Sequence, residues 1–253
     1  MTSLQGDGQM ADVQMPFTAH LAELRNRLIK CVVAVGIAFI ACFSFVEDIF
    51  AILAAPLRAV EVPGLTLIGT AVTEAFFTKM KIAFIAAVTV ASPVLLWQAW
   101  QFIAPGLYEH EKRYSRSFVC VGSIFFIGGA LFCYGIVIRH SLAFLLHRYT
   151  VINVQPMLQV GDYLSLVSRL VLAIGVMFEL PVLAFFLARV GLIDHRFLIR
   201  HSRYAVVAIA LFAAILTPPD LISQVLLMVP LALIYALSIG VAYVARLRMG
   251  KTE

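Results

Sequence analysis

The sequence predicts an all-α polytopic membrane protein: six transmembrane helices, several bent by proline, both termini on one side, and an amphipathic helix ahead of the first span. Three observations predict it. Of the 253 residues, 62% are hydrophobic and 13% charged, whereas about a quarter of a soluble globular chain is charged. The apolar residues gather into six runs, most of them long enough for a hydrocarbon core of about 30 Å. The basic residues stand in blocks between those runs, thirteen Lys and Arg flanking one side against five on the other. That asymmetry sets both termini in the cytoplasm.

The elements follow in order. Residues 1–15 are polar and are expected to be disordered. From Pro16, Leu21, Leu24 and Leu28 share one helical face while His20, Glu23 and Arg27 share the other, which predicts an amphipathic helix at the membrane surface. Span one is expected over about Leu28–Phe50. It exceeds a signal-peptide core and lacks a small-residue cleavage site, so its retention as a helix is expected. A loop with Pro56, Pro63 and Gly64 comes next. Spans two to six are expected over about Phe77–Ile103, Phe118–Ile138, Leu164–Ala188, Tyr204–Leu216 and Leu221–Ala245. Residues 16–246 thus form one membrane domain and 247–253 a cytoplasmic tail. Pro93, Pro181 and Pro230 fall inside spans two, four and six and should bend them. Span five, about 13 residues or 20 Å, is shorter than the bilayer core and should thin it locally.

Several function classes are excluded. No length remains for a separate soluble domain, and the net charge of +5 resides in topology-setting blocks rather than in a nucleic-acid-binding surface. Cys31, Cys42, Cys120 and Cys133 lie in apolar runs without metal or disulfide spacing. His110-Glu111 lacks the second histidine of HExxH, and neither a GxSxG elbow nor a Walker A sequence occurs. No enzyme, cofactor or metal site is expected.

Four segments carry a resemblance. They are His20-Leu21-Ala22-Glu23-Leu24-Arg25, Phe102 through Arg113 with Pro105-Gly106-Leu107-Tyr108-Glu109-His110-Glu111, Phe178-Glu179-Leu180-Pro181, and Leu216-Thr217-Pro218-Pro219-Asp220. In this order, around six apolar runs, they resemble TatC, the multispanning receptor subunit of the twin-arginine protein translocase, from about Pro16 to Arg246. The resemblance implies a bent six-helix receptor in a bacterial-type inner membrane, transporting folded proteins with TatA and TatB subunits, as part of an oligomer driven by the proton gradient.

The resemblance assigns recognition of the signal peptide's paired arginines to Glu23 and Glu111, with His20, Arg25, Phe102 and Tyr108 around them. The chemistry suits this role, because a carboxylate accepts the planar guanidinium fork bidentately and lysine cannot reproduce that geometry. Taken alone, Glu23 is equally a partner for Arg27 at i, i+4, and Glu111 a solvated loop charge. Glu109 departs from the basic residue expected at its position. Glu179 lies roughly 13 Å inside span four, where an ionised carboxylate is costly, and it must be protonated, paired or wet. The resemblance links it to signal-peptide or partner contact. Thr217 and Gln224 match a polar patch for TatA and TatB, while Asp220 can cap span six. Pro56 and Glu74 match a periplasmic cap. The rival reading is a proton-coupled small-solute transporter using Glu179 and Arg169 as its ion site.

Overall fold

A computed structural model describes residues 17–60, 65–103, 115–151, 155–217 and 221–249. The first helix, α1 (Phe17–Ser44), merges the expected amphipathic helix with span one, since no proline or glycine interrupts Phe17–Val35. It ends six residues before the expected Phe50, and a turn at Phe45 leads into α2 (Val46–Arg58). The expected loop around Pro56 is therefore helical up to Arg58. A proline in a helix leaves the carbonyl four residues earlier without its donor. Here the Tyr134 hydroxyl donates to that carbonyl, Ile52 O, at 2.7 Å, and the Tyr163 hydroxyl to Leu53 O at 3.0 Å. The backbone thus tolerates Pro56 because a distant tyrosine, Tyr134, supplies the donor that the proline removes.

Strands β1 (Thr66–Ile68) and β2 (Met157–Gln159) pair in parallel, with Leu67 opposite Leu158. They join the segment after α2 to the segment after the third span, a pairing absent from the sequence expectation. Between them run α3 (Glu74–Ile103), which contains Pro93, and α4 (Ser115–Phe132). A π-helical segment (Cys133–Ile138) then leads into α5 (Arg139–Val151), so the third long helix passes its expected end at Ile138.

Span four is broken. Helix α6 (Val160–Met177) stops and α7 (Glu179–Arg189) begins one residue later. Pro181 cannot donate to Met177 O and its ring crowds that carbonyl, so the chain bends at Phe178. After the short α8 (His195–Arg200) come α9 (Ser202–Leu216) and α10 (Leu221–Met249), the latter carrying Pro230.

Among the described residues, five helical stretches are long and apolar enough to cross a membrane, namely Leu21–Ser44, Glu74–Phe102, Ser117–His147, Val160–Arg189 and Leu221–Arg246. Helix α9, the expected short span five, has 15 residues, about 22 Å. The protein is an α-helical, multi-pass membrane protein. Its core gathers around Ile82, Cys133, Leu164, Val167, Ile174 and Leu231. Large apolar side chains such as Ile40, Val207 and Leu211 point outward, as expected where lipid replaces water around the fold.

Long-range contacts define two rims. At one, Gly161 N–H at the start of α6 donates to Glu74 Oε1 at the start of α3, at 2.8 Å. At the other, Arg27 near the start of α1 reaches Gln101 near the end of α3, Trp100 meets Phe186 of α7 at 4.0 Å between ring centroids, and Arg246 of α10 pairs with Asp194. We call the second the basic rim.

Candidate functional site

At the basic rim the sequence sets Glu23 and Arg27 one turn apart, and the structure pairs them. Arg27 Nε donates to Glu23 Oε1 at 3.0 Å and Nη2 donates to the same oxygen. The third donor, Nη1, reaches Gln101 Oε1 on α3 at 2.6 Å. Both charged side chains are partly shielded, at 16% and 22% exposed. The i, i+4 reading of Glu23 is therefore a fact of this fold. It does not exhaust the carboxylate, since among the described residues Oε2 has no donor.

Arg27 also acts as a tie. Among the described residues α1 packs along α3 but buries few side chains fully, 6% of its membrane-length window against 28–39% in the other four. The Arg27 to Gln101 bond fixes its first turns beside the end of α3. Phe102, partly buried, is the next residue, and the chain continues from there toward Glu111. Arg25 is exposed on α1 and His20 lies in its first turn. Tyr108 and Glu111 lie outside the described residues, as does Asp220.

Glu179 begins α7, roughly 15 Å along the helix from Arg189 at the basic rim. Its two carboxyl oxygens are shielded and accept no hydrogen bond among the described residues. They rest against α4 where that helix presents Gly122, and next to Leu96 of α3. At the break itself, Phe178 lies against Gly129 of α4 and meets Phe132 in a tilted ring contact at 5.4 Å between centroids. Sequence reasoning isolated Glu179 and did not find its seat. The available signal was the pair Gly122 and Gly129, two turns apart on one helix, since small residues let membrane helices approach closely. Across the interior, Ser92 Oγ, Gln98 Oε1 and Trp100 Nε1 on α3 are likewise buried without partners among the described residues.

Arg169 is not brought to Glu179. Its Nε donates to Ser165 O at 3.1 Å, and it lines a cleft of about 400 Å³ with Asp162 and Thr217. The ion site of the transporter reading is therefore not assembled.

Thr217 ends α9, its hydroxyl and its N–H both donating to Ala213 O at 2.9 Å. Gln224 of α10 spends its amide on α9, Nε2 donating to Ala210 O at 3.0 Å. Thr217 thus closes the last turn of α9, and Gln224 ties α10 to α9 at the same corner. At the opposite rim Glu74 is a hub. Oε2 accepts the N–H groups of Thr70 and Ala71, at 2.6 and 3.3 Å, and the Thr70 hydroxyl at 3.1 Å, while Oε1 holds Gly161. Gln159 Nε2 donates to Thr70 Oγ1 at 2.7 Å, tying β2 into the network. Lys79 pairs with Glu47 of α2 at 2.8 Å, and this ammonium holds the Glu47 carboxyl below its ordinary range. Pro56 is buried in the last turn of α2 beneath the same rim.

Comparison with known proteins gives the geometry a context. The profile of the family described as "Sec-independent protein translocase protein (TatC)" matches residues 19–230. The chain is 44% identical to the Sec-independent protein translocase protein TatC of Campylobacter jejuni over 221 residues, which is 87% of this chain and 90% of that one. It is 40% identical to the TatC of Desulforapulum autotrophicum over 224 residues, 88% and 83% of the two chains. A solved structure described as the twin arginine translocase receptor TatC superposes with a TM-score of 0.82 at 39% identity, covering 89% of this chain and 99% of the other.

Proposed function

From the premise that this chain belongs to the TatC family of Sec-independent protein translocase proteins, we propose that it is the signal-peptide receptor of a twin-arginine translocase. The family is one of non-enzymatic translocase components. In this reading the basic rim faces the cytoplasm of a bacterial-type cell, both termini lie there, α9 completes six crossings, and residues 16–246 act as one membrane domain. Glu23 and Glu111 read the two arginines, with His20, Arg25, Phe102 and Tyr108 shaping the surface around them.

One observation carries the reading. Arg27 bridges Glu23 and Gln101, so the carboxylate of α1 is held beside the end of α3, from which the segment bearing Glu111 departs. An incoming guanidinium meets a carboxylate whose Oε1 accepts from Arg27 and whose Oε2 has no donor among the described residues, an arrangement suited to adding a second guanidinium without expelling the first.

Glu179 is assigned to a later step inside the membrane, engaging the inserted signal peptide or a partner helix. The α9–α10 corner with Thr217 and Gln224 is assigned to TatA and TatB, and the opposite rim, with Pro56, Glu74 and Asp220, to a periplasmic cap. Energy comes from the proton gradient, in an oligomer of several subunits. The experiment for the receptor role is site-specific photocrosslinking from position 111 to a twin-arginine signal peptide in membrane vesicles. The expected adduct requires the arginine pair. An adduct equally strong with a twin-lysine peptide, or none at all, would contradict the assignment.

A further inference from the structure

We propose that Gly122 is a positioning residue for Glu179, its missing side chain being what lets the carboxyl group rest against the backbone of α4. The inference deepens the intramembrane role assigned to Glu179 above and rests on it. A methyl group built on Gly122 would lie 2.9 Å from Glu179 Oε2, 3.5 Å from Oε1 and 3.2 Å from Leu96 Cδ1. The glycine therefore marks where the carboxyl sits, and any side chain there displaces it.

Two features make this more than close packing. The first is the contrast with Gly129. A methyl group there would lie 2.6 Å from Phe178 Cγ and 2.8 Å from its Cβ, atoms tied closely to the backbone of the break. Gly129 thus sets how near α4 and the bend of span four approach each other. At Gly122 the opposing atoms are the far ends of flexible side chains, so a small substituent moves the carboxyl group and leaves the helices in place. The second is that neither Glu179 oxygen is held by a donor among the described residues. Among the described residues shape locates the carboxyl: the break that Pro181 imposes at Phe178 aims it, and the gap at Gly122 receives it.

The test uses the full-length protein in its translocase. Gly122→Ala is expected to unfold at the wild-type temperature in detergent yet to lower export of a twin-arginine reporter severalfold at equal protein levels. Glu179→Asp retracts the carboxyl by one methylene and is expected to lower export by itself. Combined with Gly122→Ala it should export better than either single variant, because the shorter acid clears the new methyl group. The infrared carboxyl band of Glu179, isolated as the difference between wild type and Glu179→Gln, should shift in the Gly122→Ala background. Wild-type export and an unmoved band in Gly122→Ala would overturn the proposal, as would a double variant that merely adds the two losses. The two possible failures separate cleanly. Full export in Glu179→Ala would refute the role of Glu179, and the infrared band would still decide whether Gly122 sets the position of its carboxyl.

Discussion

Replacing Gln101 with leucine isolates the polar tie between α1 and α3, because it leaves the Glu23–Arg27 pair intact. Arg27 Nη1 donates to Gln101 Oε1 at 2.6 Å, a hydrogen bond from a charged donor, and losing such a bond costs about 1.5–3 kcal/mol. Both groups are only partly buried, so water replaces some of the lost interaction and the lower figure applies. A cost of about 1.4 kcal/mol is a tenfold change in an equilibrium. Helix α1 also packs along α3 but has few fully buried side chains, so the loss is felt mainly in the turns next to the bond. The expected result is amide exchange up to about tenfold faster in the first turns of α1, with α6 unchanged, since local opening follows local stability. Signal-peptide affinity should fall by a comparable factor, because Glu23 is then no longer held beside the end of α3. Exchange and affinity both at wild-type values in Gln101→Leu would refute the claim that this bond positions α1.

Three further outcomes are expected. Tyr134→Phe removes the donor to Ile52 O and should lower stability by about 1 kcal/mol, read as a lower unfolding temperature in detergent, and Pro56→Ala should erase most of that loss by restoring a backbone N–H. Thr217→Val with Gln224→Leu should reduce crosslinking of the α9–α10 corner to TatA- and TatB-type subunits while crosslinking at position 111 persists; undiminished partner crosslinking would locate docking elsewhere. Reporter fusions after Arg116 and Arg200 should report cytoplasm, and one within residues 153–157 should report periplasm. A periplasmic signal after Arg116 would contradict the six-crossing topology.

The long helices were legible in the sequence because hydrocarbon demands uninterrupted apolar runs, and the break in span four was announced by Pro181. Pro56 misled for a related reason. A proline reads as the end of a helix unless another donor serves the orphaned carbonyl, and here that donor is Tyr134, which lies far along the chain. The β1–β2 pair left no trace because three residues are too few to show an alternating pattern. The Glu23–Arg27 pair was readable as an i, i+4 spacing, whereas its continuation to Gln101 depends on how α1 crosses α3. Glu179 stood out as a charge in an apolar run, but its seat at Gly122 belongs to another helix and emerges only when the bend of span four packs against α4.

The most direct test of the central claim is the affinity of the purified translocase for a twin-arginine signal peptide and for its twin-lysine counterpart, measured with wild type and with Glu23→Gln, Glu111→Gln. The wild type should prefer the twin-arginine peptide. In the double variant, which should still insert at normal levels, that preference should collapse, each lost charge-assisted bond costing about 1.5–3 kcal/mol. Retention of full affinity and full arginine preference in the double variant would show that the arginine pair is read by other residues.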